Sequence, residues 1–182
     1  MGLTEAAPMR IRLLFLLLAG VMTACGGQAL LAAAPATELG TFVVDGNVQN
    51  PLTLTVEQLA AMPTQEVTVE FETGDGLEEH TYTGVPLIAL LEQAELGLDP
   101  DVKNDKLRHY VAVAGSDGYV AVVAYGEIDP EFGNRMVLLA VTEDGASLAA
   151  EGPRLVVPGD VRGGRYVTNV VRVSVARADI GP

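Results

Sequence analysis

The segment PRLVVPGDVRGGRYVTNVVRVSV, residues 153–175, gathers residue types that handle anions. The whole chain has a formal charge of −13, yet this stretch sets Arg154, Arg162, Arg165 and Arg172 against a single acid, Asp160. Its centre is Arg162-Gly163-Gly164-Arg165. Consecutive glycines let backbone N–H groups converge on an anion, and guanidiniums fork onto phosphate, sulfate or carboxylate. The competing reading is a bend between two strands, with glycines supplying positive φ and arginines paired to surface acids.

Other reactive types are sparse. The histidines are His80 and His109, far apart in sequence, and Cys25 is the single cysteine. No intrachain disulfide and no thiolate metal cluster can be built from that set. His109 opens an apolar strand and reads as structural. Asp99, Asp101 and Asp105 have the spacing of a calcium loop, but Asn104 stands where the sharp bend needs glycine and Tyr110 where the closing glutamate belongs. A solvated loop is the reading there. Glu70, Glu72, Glu78 and Glu79 read as the charged exposed face of a hairpin. Ser116 lies in GSDG, which lacks the spacing of a nucleophile elbow. No paired general acid and base emerges from spacing.

The elements that must position these residues follow from periodicity. TFVVDG (41–46) reads as a strand. LTVEQLAAMP reads as a short helix, with Thr55 and Gln58 at capping-box spacing and Pro63 ending it. EVTVEFET alternates, so Val67, Val69 and Phe71 share one face while Thr68, Glu70 and Glu72 share the other. GDGLEEH reads as a loop before a returning strand at HTYTG. GVPLIALLEQAELG reads as the clearest helix, with Pro86 in its first turn, Leu87, Leu90, Leu91 and Ala94 on one stripe, and Gly97 as the C-terminal cap. HYVAVAGSDGYVAVVAYG reads as two strands around a Ser-Asp-Gly turn. RMVLLAV, PRLVVP and RYVTNVVRVSV read as strands, the last with Val167, Val171, Val173 and Val175 on one face. Seven or eight strands against two helices make a β-rich α+β domain. Its core must come from Val, Leu and Ala, since tryptophan is absent.

The N-terminus reads as an export signal. Arg10 and Arg12 precede LLFLLLAGVM (13–22), an uncharged run of secretory length and too short to span a bilayer as a helix. VMTACGG follows and resembles a bacterial lipobox, which would make Cys25 the lipidated mature N-terminus. Ordinary cleavage within ALLAAAPA is the alternative. The expected organisation is a signal peptide over 1–24, a flexible tether over 25–40, the folded domain over 41–177 and a tail over 178–182. Loss of residues 1–24 takes away Arg10, Arg12 and Glu5 and moves the formal charge to −14. Such a surface repels nucleic acid and anionic headgroups. The expected location is therefore periplasmic or at the cell surface, held to the membrane by a lipid alone.

The order of motifs resembles the oxidoreductase molybdopterin-binding domain, the sulfite-oxidase-like fold. The matching pieces are NPLTLTVEQLAAMP, YTGVPLIALLEQA, VAVAGSDGYVAVVAYGEI, RMVLLAVTEDGASLAAEGPRLVVPGD and GGRYVTNVVRVSV. The resemblance implies mixed sheets with short helices, and a molybdopterin whose metal is bound by a cysteine thiolate. That cysteine belongs in the region reading FETGDGLEEHTYTG, which has none. The resemblance places cofactor contacts on Arg154, Asp144, Gly163, Gly164 and Arg165. The family's Asn-Gly turn is Asp144-Gly145 here, and its second basic residue is Thr168.

Two functions follow as expectations. One is an exported, lipid-anchored domain without molybdenum catalysis that binds a small anionic ligand or a redox partner. The other is a molybdopterin-dependent oxidoreductase with a non-cysteine metal ligand, for which Asp75, Glu78 and His80 in the nearby loop are the possible choices. No catalytic or metal-binding residue and no cofactor follow from the residues themselves.

Overall fold

Alternating apolar and polar residues sort much of the described chain into strands, as the computed structural model of the protein displays. It describes residues 40–179, within one unit, Pro35–Pro182. The signal segment, Cys25, nearly all of the tether and the last three residues lie outside the described residues.

In chain order the elements are β1 (Thr41–Gly46), β2 (Leu52–Thr55), α1 (Val56–Ala60), β3 (Gln65–Thr73), β4 (Gly76–Pro86) and α2 (Leu87–Ala94). There follow β5 (His109–Gly115), β6 (Val120–Ala124), α3 (Tyr125–Ile128), β7 (Leu138–Glu143), β8 (Ala146–Ser147), β9 (Arg154–Val156) and β10 (Val170–Arg177). One sheet has the order β2-β1-β10-β5-β6, and in it β1 and β10 pair in parallel. The other runs β3-β4-β7-β8, with β9 also on β7. No helix among the described residues is long and apolar enough to cross a membrane.

The main core gathers Phe42, Val44, Leu90, Leu91, Val113 and Val173 with residues of both sheets and α1 and α2. A smaller core of Val69, Phe71, Tyr82, Leu138, Ala140, Leu148 and Val156 lies on the second sheet. His109 is buried where β5 begins. Its Nε2 accepts from Asn47 Nδ2 at 2.7 Å, so its Nδ1–H donates to the Asp105 carbonyl at 3.0 Å. Asp105 is buried too, and one of its oxygens accepts from the Asp99 amide at 2.9 Å. The 99–105 loop is thus tied by its own hydrogen bonds.

The capping box of α1 forms as its spacing indicates, Thr55 Oγ1 accepting from the Gln58 amide and Gln58 Oε1 from the Thr55 amide. Several boundaries differ from the sequence reading. The β3–β4 turn is only Gly74-Asp75, so the returning strand starts at Gly76 and includes the glutamates. Pro86 is the N-cap of α2 rather than a first-turn residue. The left-handed residue after α2 is Glu95, at φ 53°. Gly97 instead serves close packing, because a Cβ there would lie 2.4 Å from Asn47 Oδ1. In the last strand a register shift between Val170 and Arg172 changes the parity. Val170, Val173 and Val175 are buried, while Val171 is only partly so.

Candidate functional site

The site is one face of the second sheet. Phe71 pairs with Glu78, Val69 with His80 and Val67 with Tyr82 across β3 and β4. Side chains alternate along a strand, so these six share a face with Thr73. Register carries that face onward, from Tyr82 to Glu143 on β7 and from Ala140 to Arg154 on β9. The lower part of the face is the smaller core. Its upper part is polar and walls a cavity of about 610 Å³. Glu78 and Glu79 therefore separate, Glu78 into the cavity wall and Glu79 to the opposite face. This corrects the reading of all four hairpin glutamates as one exposed charged surface.

The arginine-glycine segment closes the cavity from the side. Val161 O accepts from the Glu72 amide at 2.8 Å, which fixes the segment to the edge of β3. Residues Gly163–Arg165 form a 3-10 turn rather than a strand-to-strand hairpin. Neither of its glycines is at positive φ. Gly163 is required by contact, since a Cβ there would lie 2.9 Å from the Phe71 ring. Tyr166 then stacks on Phe71 with centroids 4.3 Å apart. Gly163, Gly164 and Thr168 line the cavity.

The three arginines divide. Arg154 and Arg162 line the cavity, whereas Arg165 does not. Arg165 grips Asp160 through Nε at 2.7 Å and Nη2 at 2.6 Å, and Nη1 lies 3.3 Å from Glu127. Those carboxylates hold its pKa further above the usual arginine value, with Asp160 the larger influence. The fork that the sequence offers to an anion is thereby occupied by the chain's own acids. Arg162 is largely exposed, with a loose 3.5 Å contact to Glu72.

Arg154 is held in place by two partners. Its Nη1 donates to Glu143 Oε1 at 2.5 Å and to the Tyr82 hydroxyl at 3.2 Å, and that hydroxyl donates to the same glutamate oxygen at 2.9 Å. Burial pushes the Tyr82 phenol up to about 12, so it stays a neutral donor. Guanidinium has five N–H donors. Nε and Nη2 of Arg154 make no hydrogen bond within the described residues, and together they form the side edge that grips a carboxylate in two places.

Asp144 does not line the cavity. With φ 49° it forms a two-residue turn with Gly145, at φ 77°, between β7 and β8. Both positive φ values match the tight turn that suits a hairpin. Its carboxylate accepts from the Thr81 amide at 2.8 Å and from His80 Nδ1 at 2.7 Å. These bonds, the Thr81 amide first, hold the Asp144 carboxyl below the usual range. The resemblance implies a cofactor contact at Asp144, but its acceptors here face β4. Its effect on the cavity passes through His80.

His80 bridges Asp144 and Glu78, the latter at 3.3 Å from Nε2. The Asp144 bond raises its pKa above the usual histidine value, burial opposes this, and Glu78 adds to the rise. Glu78 is held low, first by the Thr73 hydroxyl at 2.6 Å and then by His80. A raised folded pKa stabilises fully below the unfolded value of about 6.5 and loses that contribution as pH rises through the folded value. The stability gap between wild type and His80→Gln is therefore expected to be wider at about pH 6 than at about pH 9. Urea unfolding at the two pH values measures it.

The resemblance pointed to Arg154, Gly163 and Gly164, but neither it nor the spacing placed His80, Glu78, Tyr82 and Glu143 on the same face. Two-residue periodicity in GLEEHTY, carried back to Gly76, would have found the first three. Among the described residues, no group of three or more His, Cys, Asp or Glu side chains is arranged to hold a metal ion.

A family model described as "Oxidoreductase molybdopterin binding domain" matches residues 33–180. Among solved structures, the chain is similar to the sulfane dehydrogenase SoxCD from Paracoccus pantotrophus, with a TM-score of 0.60 and 23% identity. The match covers 77% of this chain and 39% of that one, and at this identity it shows the fold. No curated protein matches the chain.

Proposed function

The chain belongs to the oxidoreductase molybdopterin-binding domain family, and we propose that it is a member that binds a small anionic ligand without molybdenum–thiolate catalysis. The proposal includes export and a lipid anchor on Cys25, which rest on the N-terminal sequence.

The residues present do not fit the group for which the family is named. A thiolate ligand is missing, because Cys25 is the chain's only cysteine and lies before the first strand. The basic pair Arg154 and Arg165 does not converge, since Asp160 and Glu127 engage Arg165. Glu72, Glu78 and Glu143 line the cavity against Arg154 and Arg162, which disfavours a doubly charged phosphate. A singly charged ligand with two coplanar oxygens suits the cavity better.

The observation that carries the proposal is the unspent Nε/Nη2 edge of Arg154, positioned by Glu143 and Tyr82. Acetate titrated into 15N-labelled protein at constant ionic strength tests it. Saturable shifts at the Arg154 side chain and at the Gly163 and Gly164 amides are expected. Shifts spread over the surface without saturation would refute site binding.

A further inference from the structure

His80 stands in the cavity wall between two carboxylates of different standing, and this suggests how the anion site is controlled. Asp144, from the β7–β8 turn, is tied to β4 by the Thr81 amide and lies 2.7 Å from His80 Nδ1. Glu78, two residues before His80 on β4, lies 3.3 Å from Nε2, and its other oxygen accepts from Thr73. Glu143 of β7 approaches Nδ1 at 3.5 Å while holding Arg154 of β9. The Phe71 ring of β3 and the Tyr82 ring of β4 lie 5.9 Å from the imidazole. No other charged group is paired with His80 among the described residues.

We infer that the cavity takes up a monoanion together with a proton on His80. With both nitrogens protonated, the imidazolium donates to Asp144 and Glu78 at once. The lining then carries three cations, Arg154, Arg162 and His80, against Glu72, Glu78 and Glu143. When one proton leaves, the shorter and better supported bond to Asp144 keeps the Nδ1–H. Nε2 becomes a lone pair facing the Glu78 carboxylate, and the lining is one unit more negative. An anion on Arg154 then shares the cavity with an unbalanced Glu78. By linkage, whatever the proton adds to anion affinity the anion returns as proton affinity.

This inference rests on the anion-binding reading above, and its test separates the two. Acetate is titrated at about pH 6 and about pH 8.5, either side of the ordinary histidine range, while the His80 ring signals are followed by NMR. Acetate stays ionised at both. The dissociation constant is expected to be about 5-fold or more larger at the higher pH, within the usual span of coupling between sites. The His80 titration midpoint in wild type is expected to move upward at saturating acetate. His80→Gln is expected to bind weakly and equally at both pH values. Equal wild-type affinity at the two pH values, or an unmoved His80 midpoint, would overturn the proton coupling alone. Absence of acetate binding at both pH values would overturn both readings.

Discussion

Arg154→Ala is expected to abolish acetate binding and to lower the unfolding free energy by about 2 kcal/mol. Both effects have one origin. Arg154 and Glu143 are each only about one-fifth exposed, at 22% and 20% of the side chain. Truncation leaves the Glu143 carboxylate with the Tyr82 hydroxyl as its hydrogen-bond donor and removes a guanidinium packed near the Tyr82 ring. An ion pair cut on one side costs more than the pair contributes, because the survivor stays partly desolvated. Arg154→Lys restores the charge but not the fork. It is expected to recover part of the stability and little of the binding. Arg162→Ala supplies the contrast: its side chain is 80% exposed, so near-wild-type stability is expected. Urea denaturation and acetate titration of the three variants measure these outcomes.

Gly84→Ala is expected to cost about 3 kcal/mol, at the upper end for overpacking. A Cβ there would lie 2.4 Å from the Leu139 carbonyl oxygen and 2.5 Å from the Ala140 Cα. Both are backbone atoms of the neighbouring strand, so no side-chain rotation relieves the contact. Gly84 is not at positive φ, and the cause is space rather than backbone conformation. The position also adjoins the register shift between Thr83 and Gly84, beyond which Tyr82 faces Glu143. Displacement of β7 there is expected to weaken the support of Arg154 as well. A fall in the urea midpoint together with weaker acetate binding is the expected result. Gly145→Ala should cost less, about 1 kcal/mol, since its Cβ would enter open space and only its φ of 77° is unfavourable.

Most of the fold was legible because it depends on short-range periodicity. The apolar face of EVTVEFET, the α1 capping box and the stripe of α2 all formed as their spacing indicates. What the spacing left obscure depends on long-range placement. Arg165 stands in the cofactor-loop motif, but its direction is set by Asp160 five residues back and by Glu127 on α3, brought in by the tertiary fold. In RYVTNVVRVSV, Val167, Val173 and Val175 are buried as alternation indicates, and only Val171 gives way to Val170, because a bulge has no compositional mark in TNVVRV. In the charged hairpin Glu70, Glu72 and Glu79 are exposed as the composition indicates, and Glu78 alone departs. Alternation, a weaker-looking signal, sends Glu78, His80 and Tyr82 to the inner face. Asp144 shows the limit of a family resemblance: the turn is kept, but its carboxylate is directed to Thr81 and His80.

Molybdenum and pterin content, measured on protein purified from a host that makes the molybdenum cofactor, tests the central claim most directly. A cavity that lacks a thiolate, and whose basic residues are balanced by Glu72, Glu78 and Glu143, should leave the protein free of both while it still binds acetate through Arg154. Molybdenum and pterin in stoichiometric amounts with the chain would contradict the account.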